Sequence, residues 1–68
     1  MKKIVIIEGM MCEHCKKRVE TALKDKAEKV EVILEDNKAI LTNSKVNDEE
    51  IRNIIENLEF EVVGIKNE

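Results

Sequence analysis

Lys3-Ile4-Val5-Ile6-Ile7-Glu8-Gly9-Met10-Met11-Cys12-Glu13-His14-Cys15 is the stretch on which the reading of this chain turns. Residues 3–8 are mostly β-branched, with Ile4-Val5-Ile6-Ile7 apolar, and are bounded by Gly9, which predicts a strand. Past the glycine the apolar period changes. Cys15, Val19, Ala22 and Leu23 fall at i, i+4, i+7 and i+8, which predicts a helix over residues 13–26. The chain's only two cysteines therefore sit where a strand gives way to a helix.

Working outward, residues 29–35 alternate, with Val30, Val32 and Leu34 on one face and Glu31 and Glu35 on the other. Asp36-Asn37 tolerate left-handed backbone angles and turn the chain into a strand over 38–43. Asn47 is expected to cap a second helix, with Glu50 completing a variant capping box and Val46 and Ile51 at the hydrophobic-staple positions. Ile51, Ile54, Ile55 and Leu58 form its apolar stripe, and residues 60–66 read as a last strand.

The order βαββαβ is two βαβ-like halves. It predicts an α+β, ferredoxin-like sandwich, a four-stranded antiparallel sheet with both helices on one face. Val5, Ile7, Val30, Val32, Leu34, Ala39, Leu41 and Val62 are expected to face the helices. Ile4, Ile6, Ile33, Ile40, Val63 and Ile65 are left for the open face. So aliphatic a face reflects either the strand propensity of Ile and Val or a surface for self-association.

Sixty-eight residues hold one core, so residues 1–68 are expected to form a single domain. Phe60 is the lone aromatic residue, which argues against a base-stacking surface for single-stranded nucleic acid. A net charge of −3 argues against a phosphate-binding protein. Lys2-Lys3 before Ile4-Val5-Ile6-Ile7 looks like the start of a signal peptide, but the run stops at Glu8, short of the roughly 7–15 residues required. No segment approaches the ~18 apolar residues of a membrane span. A soluble, cytoplasmic chain with neither membrane insertion nor a nucleic-acid partner is expected. In that reducing setting a Cys-x-x-Cys pair serves a metal or a reaction rather than a structural disulfide.

With Cys12 just before the helix and Cys15 in its first turn, the i, i+3 spacing lets the two sulfurs converge. Backbone N–H groups and the positive end of the helix dipole then favour the thiolate form. Lys16, Lys17 and Arg18 either offset the charge of a dithiolate site or form a solvated helix face. Structural Zn²⁺ wants four ligands, yet the chain has no second cysteine pair and one histidine. Cu(I) is soft, prefers thiolate and is content with fewer ligands. A low-coordinate site leaves room for an incoming thiolate, which suits a carrier. One Cu(I) can also be bridged by two chains, so an apo monomer that becomes a Cu-bridged homodimer is left open. The redox alternative is a thioredoxin-like thiol-disulfide oxidoreductase. That fold is longer and uses a cis-proline, and this chain has no proline.

Gly9-Met10-Met11-Cys12-Glu13-His14-Cys15 resembles the Gly-Met-x-Cys-x-x-Cys loop of heavy-metal-associated domains. The Cys-x-His-Cys variant is similar to small bacterial copper chaperones, and the resemblance spans the whole chain. It implies a Cu(I) metallochaperone without catalytic turnover, with Cys12 and Cys15 as ligands. The partners it implies are the metal-binding domains of a copper-transporting P-type ATPase, or a copper-responsive repressor. A Zn²⁺, Cd²⁺ or Hg²⁺ domain on the same fold is the other reading.

Met10 matches a family methionine packed beneath the loop. Phe60 matches an aromatic position beside it, often Tyr in chaperones and Phe in ATPase domains, where it shields the sulfurs or simply packs in the core. Zinc-transporting relatives tend to carry an acidic residue where Met11 stands, which favours Cu(I). Met11 itself is expected to be exposed and non-ligating, with a third-ligand role as the alternative. His14, at i+2 from Cys12, is expected to face away from the sulfurs, tuning the site or meeting a second metal-bound molecule. Two family glycines that end the helices are replaced by Lys29 and Glu59. Lys26 and Lys29 are expected to satisfy the first helix end, and Asn57 the second.

Overall fold

In the computed structural model, which describes residues 2–10 and 12–68, the elements are β1 (Lys2–Glu8), α1 (Glu13–Leu23), β2 (Ala27–Ile33), β3 (Lys38–Ser44), α2 (Asp48–Asn57) and β4 (Glu61–Asn67). The strands form one antiparallel sheet in the order β2-β3-β1-β4, and both helices pack on the same face. This is the ferredoxin-like sandwich that the alternation and helical periodicity require. Val5, Ile7, Ala39 and Leu41 of the central strands meet Val19 and Leu23 of α1 and Ile51 and Ile55 of α2 in a core with no accessible side-chain surface. Each fully buried aliphatic side chain contributes about 1.5–3 kcal/mol.

Three sequence expectations are corrected. Helix α1 ends at Leu23 rather than at residue 26: the Lys26 N–H donates to the Leu23 carbonyl at 2.9 Å, and Ala27 is already buried in β2 opposite Ser44. The second strand accordingly covers 27–33 instead of 29–35. Leu34 falls in the following turn and packs against the core from there.

The third correction concerns Ile65. Ile7 pairs with Val62 but Ile6 pairs with Gly64, so Val63 is an extra residue that bulges β4. Beyond the bulge the alternation is inverted. Gly64 takes the open-face position and Ile65, opposite Val5, packs against the core. Val63 is 59% exposed, whereas Ile4, Ile6, Ile33 and Ile40 are only half-buried on the open face. The register sets Lys38 between Ile6 and Ile33.

The helix ends close through backbone rather than through the expected side chains. Lys26 acts by its N–H alone, and Lys29 lies in β2 opposite Thr42. At the end of α2 the Glu59 N–H donates to Glu56 O at 2.9 Å and the Phe60 N–H to Ile55 O at 3.4 Å. That is a Schellman motif, with Glu59 (φ 71°) in the left-handed position usually held by glycine, so Asn57 is not needed. An L-residue there costs on the order of 1 kcal/mol. The motif delivers Phe60 to the β1–α1 loop. Among the described residues no helix is long and apolar enough to cross a membrane.

Candidate metal centre

Strand β1 ends at Glu8, and Gly9 (φ 99°) redirects the chain through a backbone conformation that L-residues avoid. Space is not the constraint there, because an added Cβ would meet Phe60 Cδ1 at an ordinary 3.5 Å. Met10 follows and is 1% exposed, so the loop is anchored in the core two residues before Cys12. This is the position expected for it. Met11 lies outside the described residues.

Cys12 is the N-cap of α1, with extended backbone (φ −146°, ψ 166°). Its carbonyl accepts from Lys16 N–H at 3.0 Å, and its sulfur accepts from Cys15 N–H at 3.4 Å. The geometry puts the two sulfurs 3.0 Å apart in a shared hydrogen bond. Both thiols are free; Cys12 is exposed and Cys15 is half-buried against the core. The Cys12 thiol is held below the ordinary cysteine range, first by the hydrogen bond to the Cys15 side chain, then by the backbone N–H groups of Cys15 and His14. Glu13's charge works in the opposite direction. The N–H groups of the first helical turn thus add to the lowering that the Cys15 side chain begins, while desolvation opposes it.

The basic residues are spread over two depressions and an aromatic contact. Lys16 borders a shallow depression shared with Glu13, Leu34 and Glu35. Lys17 and Arg18 line a different groove of about 390 Å³ with His14, Thr21, Ala22 and Leu58. The Arg18 guanidinium lies 5.7 Å from the centre of the Phe60 ring. Phe60 is half-buried, packs on the core and stands beside Gly9, so the core-packing role is the one seen. His14 is exposed. Among the described residues no group of three or more His, Cys, Asp or Glu side chains converges. The donor atoms brought together here are two soft sulfurs, the type that suits a thiophilic ion. One neighbour of the loop was not legible in the sequence: Asn37, read only as a turn residue, reaches the Met10 carbonyl.

Topology and loop together define a class, ferredoxin-like domains with a Cys-x-x-Cys pair at the start of the first helix. The model of the heavy-metal-associated domain matches residues 4–61, and the chain belongs to that family. Among solved structures, the chain is similar to a CopZ metallochaperone, with 33% identity and a TM-score of 0.84 over 93% of this chain and 100% of that one. It is similar to a copper-binding domain from a P-type ATPase, with 31% identity and a TM-score of 0.81 over 98% and 100%. The yeast copper transporter domain Ccc2a, solved in apo and Cu(I)-loaded states, gives 25% identity and a TM-score of 0.81 over 93% and 94%. No curated protein matches the sequence.

Proposed function

We propose that this chain is a cytosolic Cu(I) metallochaperone that binds its cargo through Cys12 and Cys15 and passes it on by thiolate exchange. The observation that carries this reading is the pair of free sulfurs 3.0 Å apart at the start of α1, one of them exposed and accepting the Cys15 N–H. The exposed sulfur is also the one that an incoming thiolate can approach, so cargo moves from one protein to another without being released. The similarity to a metallochaperone and to a copper-binding domain of a P-type ATPase supports such a domain as the partner; a copper-responsive repressor is the second partner that the family resemblance implies. The chain performs no catalytic turnover in this reading.

The test is anaerobic loading with Cu(I) followed by challenge with a competing Cu(I) chelator. Wild-type protein retains the ion. Cys12→Ser and Cys15→Ser each lose affinity on the order of 100-fold or more, beyond the 10–100-fold typical of residues that only support a ligand. Retention by both variants refutes the ligand assignment. Tighter binding of Zn²⁺ than of Cu(I) under reducing conditions refutes the choice of cargo.

A further inference from the structure

We propose that Asn37 is a positioning residue for the metal loop: from the β2–β3 turn its side-chain amide holds the Met10 carbonyl and so fixes the approach of Cys12 to α1. The inference rests on the reading of Cys12 and Cys15 as the binding pair.

Asn37 is held through its backbone on two sides. Its N–H donates to Leu34 O at 3.2 Å, closing the turn, and its carbonyl accepts from Ile7 N–H at 2.7 Å. The second bond extends the β1–β3 ladder one step past the Ile6–Lys38 pair and presses the turn against the end of β1. With its amide nitrogen toward the loop, the side chain donates to Met10 O at 3.1 Å and to Leu34 O at 3.3 Å. The opposite orientation would set the amide oxygen against two carbonyl oxygens, which have no proton to offer.

Met10 is therefore held at both ends. Its side chain is buried in the core, and its carbonyl is gripped by a residue from the other end of β2. The next described residue is Cys12, whose extended backbone brings its sulfur to the Cys15 N–H. A binding pair that is set before the ion arrives loses less freedom on binding it. The turn alone does not require this chemistry. Asn37 has φ 51°, which glycine satisfies more easily, but glycine lacks the two donors. Aspartate keeps the size and the tolerance for left-handed angles, yet turns a carboxylate toward the same two carbonyls.

The experiment compares Asn37→Gly and Asn37→Asp with Asn43→Gly, a control at a second left-handed asparagine (φ 53°) in β3. Three quantities are read: hydrogen exchange of the Gly9, Met10 and Cys12 amides in the apo protein, thermal midpoint, and Cu(I) affinity by chelator competition. Asn37→Gly is expected to speed loop amide exchange and weaken Cu(I) binding about 3- to 10-fold, the scale of one lost hydrogen bond. Its thermal midpoint stays close to that of Asn43→Gly. Asn37→Asp loses at least as much affinity, because the donors and not the turn are what the two variants share in losing. Unchanged loop exchange and affinity in Asn37→Gly overturns the proposal. So does an affinity loss that the Asn43→Gly control reproduces. Were the wild-type protein to bind no Cu(I), the functional reading would fail, and the amide exchange would still decide the role of Asn37.

Discussion

The two helices begin with the same geometry and opposite chemistry. Asn47 caps α2 through an amide oxygen that accepts the N–H three residues on at 2.9 Å. Cys12 caps α1 through a sulfur that accepts the equivalent N–H at 3.4 Å. The first turn of α2 carries Asp48, Glu49 and Glu50, negative charge where the helix field favours it. Lys3 Nζ then ties that end to the sheet, 2.7 Å from Asp48 Oδ1 and 2.6 Å from Asn67 Oδ1. The start of α1 has a single acidic residue, Glu13, and an exposed thiol. One end uses its N–H groups for stability. The other points them at a group whose reactivity they raise, and its anchoring comes from elsewhere, through Met10 in the core.

Substitutions at the caps test that contrast. Asn47→Ala is expected to cost about 1 kcal/mol, the usual loss for an oxygen cap, and to lower the thermal midpoint by about 4–8 °C. At the far end of α2, Glu59→Gly relieves the left-handed strain at φ 71°. It should raise stability by about 0.5–1 kcal/mol in denaturant titration, the strain removed less the added chain entropy. No gain there would mean that the Schellman bonds hold Glu59 without strain. Smallest of all is Cys12→Ser in the apo protein, where a hydroxyl replaces a weak sulfur acceptor and apo stability moves by only about 0.5 kcal/mol either way. A loss matching that of Asn47→Ala would break the comparison and make the sulfur a structural cap.

What could be read from the sequence is what depends on near neighbours. The Val46, Asn47, Glu50 and Ile51 pattern lies within one helical turn, and the start of α2 falls where it indicates. The convergence of Cys12 and Cys15 follows from i, i+3 spacing and a strand-to-helix junction, and was legible for the same reason. Ile65 is shifted because a bulge is a property of two strands in register; Gly64 inside the strand is the one local hint of it, and it does not say which residue is extra. The end of α1 moved to Leu23 because Ala27 gains more by pairing with β3 than by continuing an exposed helix. Asn37 carried a turn signal that was correct, but its bond to Met10 joins segments far apart in the chain and has no local signature.

The central claim is that the start of α1 presents a two-sulfur site for a soft ion. X-ray absorption at the copper edge of the Cu(I)-loaded protein addresses it most directly, with His14→Ala alongside. A nearest shell made only of sulfur, identical in the wild type and in His14→Ala, is the expected result. A nitrogen neighbour that disappears in His14→Ala would contradict it.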